Sequence, residues 1–458
     1  MNQPPSPQGP PLHHPRPGTP SHVNAEHRYY EVPRMFDTRA RSASGLTGLR
    51  HPQPPVAPPT SAQPPSAWAT QQRRVQELAA APPRLDVLTF VGWGAVAFLL
   101  IALMGAFALL FSSFDPGPVF AYTMIAAVSL VTIIGVMLLA DRWHPQPIYI
   151  VVIAVLWGAA IATSISAVIN AAAGFVLSNI LQDPLLAVLA TTAGTVPLVE
   201  EITKGLGVLL IFLAFRKHFN GPLDGIIIGA LVGAGFAFTE NILYYVNASE
   251  AAGVSGALLL AFFRGGLGIF GHSIYTSLTG LVIGLVARRF GSIAATLSFV
   301  VAVIPGILLH ALWNFGATML PLLGDPYSPS WSLTSLGLLY GSMLILVAVW
   351  IALIIVVVFE ETKMTRARLG EYANKGWLTH EEVTMLGTWK GRREGKRWAR
   401  GFGGARVMKR FIRDAADLAF TRQRLTADGG TTRALAEEQR LLNNLTKDRH
   451  ELVSMAAR

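Results

Sequence analysis

Cysteine is absent from all 458 residues. That excludes disulfides, thiolate metal sites and a cysteine nucleophile. Charge is scarce as well. Only 14% of residues are Asp, Glu, Lys or Arg, against about 25% in soluble globular domains, so an ordinary cytosolic enzyme is excluded. A wholly disordered chain is excluded too, because 52% of residues are hydrophobic and the mean hydropathy is +0.44.

Familiar hydrolase signatures are also missing. There is no HExxH, so the helix-borne zinc pair is lacking, and no pair of aspartates falls in mid-membrane. Gly253-Val254-Ser255-Gly256 spells the GxSG of rhomboid serine proteases. It lies in a polar connection, and the His-Asn pair follows it rather than precedes it.

What charge there is sits at the ends. Residues 1–86 carry a net +4, 87–359 a net −2, and 360–458 a net +8. An apolar centre between basic flanks is a membrane domain, and such flanks suit anionic lipid headgroups; no nucleic-acid partner is expected. Residues 1–84 hold 18 of the 29 prolines. Each removes a donor and fixes φ, so this arm reads as disordered and cytosolic, with a short helix over Gln71–Ala81.

A membrane-spanning helix needs about 20 apolar residues. Eight runs qualify: 88–111, 119–140, 148–178, 185–215, 224–246, 257–287, 292–320 and 334–359. Gly265-Gly266 and Pro305-Gly306 are expected kinks. Lys and Arg fall in alternate connections, at Arg142, Arg216-Lys217 and Arg288-Arg289. By the positive-inside tendency both termini are cytoplasmic. The fold class is all-α: a polytopic bundle of about eight spans over 85–359, followed by a basic, partly helical cytosolic tail over 360–458. Trp377, Trp389 and Trp398 with the +8 charge suggest contact of that tail with the inner leaflet.

A charge in mid-bilayer costs about 2.5–3.5 kcal/mol on insertion scales, so the few polar residues in the centre need a reason. They are Glu200, Glu201 and Lys204; Glu240 and Asn241; Arg264 and His272; and His310 and Asn314, on four consecutive spans. Rise per residue puts them in one layer, at or slightly outside the midplane. Lys204 is i,i+4 from Glu200 and i,i+3 from Glu201, so it can neutralise either. Pro197 leaves the carbonyl of Ala193 without its helical partner. Arg264 reads as an anchor or a partner for Glu250, and Asp224 as a helix-start group.

Two carboxylates and two imidazoles support hydrolysis in two ways. A carboxylate and two histidines can hold Zn²⁺ while another glutamate takes the proton of its water. Alternatively a desolvated glutamate activates water with a histidine, while His310 and Asn314 donate to the oxyanion. The residues leave both open. A different class is an ion-coupled transporter, since intramembrane Glu, His and Lys also serve as proton relays; no internal repeat supports it. A membrane scaffold with a degenerate site is a third.

The motifs Glu200-Glu201-Ile202-Thr203-Lys204, Phe236-Ala237-Phe238-Thr239-Glu240-Asn241, Gly271-His272-Ser273 and His310-Ala311-Leu312-Trp313-Asn314 resemble those of the PrsW family of intramembrane proteases. That family falls in a group of glutamate-dependent membrane proteins that includes the CAAX-processing proteases. The resemblance covers about 85–359. It implies bacterial site-1-type cleavage of a single-span membrane protein, such as an anti-sigma factor, near the outer face of the cell membrane. It maps the family's acidic and imidazole groups onto Glu200, Glu201, Glu240, His272 and His310. The family is usually classed with metalloproteases, which implies Zn²⁺ on Glu201, His272 and His310, although its relatives are similar to metal-free enzymes. In this reading Glu200 or Glu201 is the base or a metal ligand. Glu240 supports the histidines, Asn314 stabilises the oxyanion, and Lys204 keeps a carboxylate charged.

Overall fold

The computed structural model describes residues 67–80, 87–325 and 328–458. The proline-rich arm thus lies outside the described residues, apart from its last segment. There helix α1 (Ala67–Ala80) forms, close to the helix the sequence predicts, and packs against the C-terminal helix.

The described residues form helices and no strand. The apolar centre holds α2 (Val87–Ser113), α3 (Pro116–Ala140), α4 (Ile148–Ile180), α5 (184–214), α6 (Pro222–Leu260), α7 (Gly271–Leu297), α8 (Ile304–Met319) and α9 (Pro329–Ala373). Their starts follow from local chemistry. Asp115 and Asp183 accept hydrogen bonds from Gly117 N and Leu186 N, and Pro116, Pro184, Pro222 and Pro329 occupy first turns, where no N–H is needed.

Six helical runs among the described residues are long and apolar enough to cross a membrane, fewer than the eight expected. Two features account for the difference. The α5 segment carries Glu200, Glu201 and Lys204 on one helix, too many charges for an apolar run. And Pro222–Leu297 runs on with only short interruptions: the backbone breaks at Ala252–Gly253 (Gly253 φ 69°), and a π-helical turn follows at Ala261–Leu267. That turn is the kink expected at Gly265-Gly266. The kink expected at Pro305-Gly306 falls just before it, where Val303 separates the short helix Phe299–Ala302 from α8 and Pro305 sits in the first turn; Gly291 (φ 87°) makes a separate break near the end of α7.

Helix α6 is the axis of the bundle and is buried along most of its length. Its glycines permit this. Gly225, Gly229 and Gly233 lie at i,i+4 spacing against the backbone of Gly280, Thr276 and His272 on α7. A Cβ at any of them would overlap a backbone carbonyl, so only glycine allows this approach. Gly235 does the same against Val155 of α4.

Beyond the bundle, α9 runs into a second unit made of α10 (His380–Leu386), α11 (Trp389–Arg400), α12 (Ala405–Asp428) and α13 (Thr432–Ala456). This unit has its own core, with Leu369, Phe411, Leu418, Leu445 and Leu452 buried. A capping box at Thr379 and Glu382 starts α10. The same Glu382 is buried and paired with Arg449 Nε at 2.7 Å. The unit grips all three basic connections of the bundle. His144 Nε2 lies 2.6 Å from Asp417 Oδ1, Arg216 Nη2 donates to Asp428 Oδ2 at 3.0 Å, and Gln423 Nε2 donates to the Arg288 carbonyl at 3.0 Å. Arg392 donates to the Trp143 carbonyl at 2.7 Å and lies over the Trp143 ring. Trp389 packs edge-on to the same indole. Among the tail's basic groups, Arg392 and Arg424 are spent on the bundle itself.

Candidate active site

Glu200, Glu240 and His272 each stand sixteen residues from a landmark at the tail-facing end of their helix: Arg216, Asp224 and Arg288. At ~1.5 Å per residue that is about 24 Å, so three separate helices deliver these groups to one level. α8 adds His310 to the same level.

Glu201 is the structural member of the glutamate pair. Its Oε1 accepts from Lys204 Nζ at 2.6 Å and lies 3.0 Å from His310 Nδ1; its Oε2 accepts from Thr276 Oγ1 at 3.0 Å. Glu201 and Lys204 are fully buried. Such a pair holds only while both members remain, because removing one leaves an uncompensated charge.

Glu200 is different. Its Oε1 has one long contact, from Asn170 Nδ2 at 3.4 Å. Its Oε2 is buried and has no hydrogen-bond partner. That oxygen lies 3.7 Å from Lys204 Nζ and 4.0 Å from His310 Nε2. These gaps are too long for direct hydrogen bonds and suit a bridging water or a cation.

The imidazoles are oriented by their partners. With its Nδ1–H donating to the Glu201 carboxylate, neutral His310 presents the lone pair of Nε2 toward Glu200. Tyr275 stacks on the His310 ring at a centroid distance of 5.0 Å. His272 Nδ1 accepts from Lys204 Nζ at 3.0 Å, and its Nε2 donates to Glu240 Oε2 at 2.9 Å. Phe236, one turn before Glu240, packs against His272 and takes the Lys204 ammonium over its ring at 4.3 Å.

Glu240 also accepts from Arg264, whose Nε donates to Asn241 Oδ1 at 2.8 Å and whose guanidinium covers Tyr244. Arg264 thus belongs to this site and not to Glu250, contrary to the sequence reading. Asn314 donates to the Thr192 carbonyl at 2.8 Å. The sequence points to a freed carbonyl at Ala193. The π-helical turn Ala190–Thr195 shifts the hydrogen bonds to i+5, so Pro197 leaves Thr192 without its partner instead. One of the two Asn314 amide protons is therefore committed away from the cavity.

A cavity of about 220 Å³ reaches Glu240, Arg264, His272, His310 and Asn314. Ser255 is exposed, and its hydroxyl bonds within its own helix to the Ala252 carbonyl. Asp224 is buried at the far end of α6, bound by Asn220 N and Gln146 Nε2. Sequence reasoning passed over Thr276 and Tyr275. The i,i+4 spacing of His272 and Thr276 was the available signal for the first.

Among the described residues one trio has the spacing of a metal site. Glu200, His272 and His310 each offer one ligand atom, all within 4.8 Å of one another. Two imidazoles and a carboxylate form a donor set that zinc accepts, and the unpartnered Glu200 oxygen fits such a role. His272 would release Lys204 or Glu240 to join it. Glu201, expected in that set, is engaged by Lys204, Thr276 and His310.

A family profile described as PrsW family intramembrane metalloprotease matches residues 146–359. The match takes in α4 to α8 and most of α9, and with them every residue of the site. The same comparisons find no match among curated proteins or solved structures. Residues 146–359 thus match the PrsW family of intramembrane metalloproteases, and the chain is a multi-pass membrane protein.

Proposed function

We propose that this chain is an endopeptidase of the cell membrane that hydrolyses a single-span protein within or just beside the bilayer. The observation that carries the reading is the buried Glu200 Oε2, without a partner, facing the lone pair of His310 Nε2 across 4.0 Å. Two acceptors facing one another leave a place that a water molecule fills by donating to both.

In this mechanism Glu200 takes a proton from the water as general base, and His310 holds that water in line. Glu201, fixed by Lys204 and Thr276, keeps the His310 tautomer. Glu240 orients His272, which faces the cavity where the scissile carbonyl enters. Asn314 offers its second amide proton to the developing oxyanion. The protonated Glu200 then returns its proton to the leaving amine. A Zn²⁺ ion on Glu200, His272 and His310 would lower the pKa of its bound water; Glu201 would keep its place on His310, and whichever of Glu240 and Lys204 stays on His272 would orient it.

The tail-facing connections all carry Lys or Arg, and one unit grips them together, which supports a cytoplasmic side there. The site then lies in the outer half of the bilayer, which favours cleavage near the outer face, as for an anti-sigma factor. Anionic headgroups are the partner for basic groups left exposed on α11, such as Arg393 and Arg397.

The test is cleavage of a single-span peptide by purified chain in liposomes, with zinc measured by elemental analysis. Cleavage lost in His310→Ala and His272→Ala supports the reading. Solute flux without cleavage would favour a carrier instead.

A further inference from the structure

Resting on the peptidase reading, we infer that the seam between the tail-distal half of α9 and the π-helical turn Ala261–Leu267 is the docking surface for the substrate's membrane segment. The cavity over the two histidines, about 220 Å³, is lined by residues of α6, α7, α8 and α9, so a substrate arriving through the bilayer passes one of these helices to reach it.

The walls are unequal. α6 and α7 meet backbone to backbone through their glycines. α8 is tied to the α5 segment by Asn314 and the Thr192 carbonyl. α9 is held on one narrow stripe. Trp350, Ile354, Val357, Glu361 and Met364 are buried in its tail-proximal half, but only Ser335 and Met343 in its first twenty residues. Trp350 marks the change: its Nε1 donates to Ser277 Oγ at 2.8 Å, and its ring meets Phe270. The tail-distal half is free to swing about that point.

Tyr340 closes the seam. Its ring lies 5.1 Å from Phe263 on the π-helical turn and 5.5 Å from Trp313 on α8. The lips outside it are apolar, with Phe262, Leu338 and Leu344 exposed. That chemistry fits an apolar helix arriving through the bilayer rather than a peptide from water. Once the Tyr340 contacts part, the path leads past Arg264 and Glu240 to His272 and His310.

The absence of native cysteine allows a clean test. Phe263→Cys and Tyr340→Cys are combined in the full chain and bridged with a short bis-methanethiosulfonate. Cleavage of a single-span model peptide in liposomes is compared with cleavage of a water-soluble peptide of the same central sequence. Bridging is expected to lower the ratio of the two rates at least tenfold, and reductant to restore it. An unchanged ratio overturns the inference. A second measurement does not depend on turnover. Benzoylphenylalanine in place of Leu339, in a Glu200→Gln background, is expected to photo-crosslink the single-span peptide. The same label in place of the lipid-facing Val168 on α4 is not. Equal capture at both positions, or capture at Val168 alone, refutes the seam. Loss of turnover in the wild-type chain with capture retained at position 339 would count against the peptidase reading and not against the docking surface.

Discussion

Glu201 accepts the Lys204 ammonium at 2.6 Å with both side chains fully buried, while the neighbouring Glu200 stands 3.7 Å from the same nitrogen with an unpartnered oxygen. One helical step of about 100° separates a carboxylate held on all sides from one with an unpartnered oxygen. Glu201→Gln should therefore act first on folding. Losing one member of a buried pair costs about 3–5 kcal/mol. Thermal unfolding in detergent is expected to show this, and Lys204→Met paired with Glu201→Gln should recover much of it. A fully stable Glu201→Gln protein would contradict the division of labour.

Gly233 touches the backbone carbonyl of His272. Gly233→Ala forces α6 and α7 apart at the level of the site, at a cost of about 1–3 kcal/mol. Cleavage should fall more than stability does, because His272 moves relative to Glu240. Gly94, which has open space around it, is the control; Gly94→Ala should leave both unchanged.

Arg264 holds Glu240 and Asn241 together from the π-helical turn. It is a positioning residue for His272, acting through Glu240. Arg264→Gln is expected to lower kcat about 10- to 100-fold with KM changed less than threefold, at or below the low end of the roughly 10²- to 10⁴-fold that an acid–base group itself contributes. Arg264→Lys should regain part of kcat, since an ammonium can pair with Glu240 but cannot hold Asn241 as well. A loss confined to KM would contradict this role.

His144 and Asp417 join the bundle to the tail unit at 2.6 Å. Burial opposes the charge of His144, but the hydrogen bond and charge of Asp417 outweigh it and raise its pKa. Burial likewise pushes Asp417 up, and the hydrogen bond and charge of His144 overcome this and lower it. The contribution of His144 to docking is complete below the ordinary histidine value near 6.5 and fades as pH rises through the raised value. That of Asp417 is complete above the ordinary carboxylate value of about 3.9 and fades as pH falls through the lowered one. Protection of α12 amides, taken relative to their intrinsic exchange rate at each pH, should be greatest between about pH 4 and 6.5 and should fall in mild alkali. His144→Gln should flatten the alkaline limb; an unaltered profile would contradict the assignment.

Hydropathy and spacing made much of the membrane domain legible. Apolar runs located the helices, Lys-Arg alternation grouped Arg142, Arg216 and Arg288 on the side the tail unit grips, and rise per residue put Glu200, Glu240 and His272 at one level. What spacing could not convey was lateral. Whether Glu200 or Glu201 faces the histidines depends on helix rotation, and Arg264 turned to Glu240 because a π-helical turn rotated it. The carbonyl freed by Pro197 is that of Thr192 and not Ala193 because another π-helical turn shifts the hydrogen bonds by one residue. Six apolar runs stand where eight were expected because charges interrupt α5 and because only a short break at Ala252–Gly253 separates the helices on either side of it. The tail's internal core was invisible for another reason: its helices read as charged, and their burial partners lie in distant segments, such as Arg449 with Glu382.

The account turns on Glu200 as the group that activates water. The most direct measurement is the rate at which purified chain in liposomes cleaves a single-span peptide, before and after Glu200→Gln. The side chain keeps its shape and loses only its basicity. A fall of about 10²- to 10⁴-fold, with a melting temperature within a few degrees of wild type, is the predicted result. Undiminished cleavage by Glu200→Gln would contradict it.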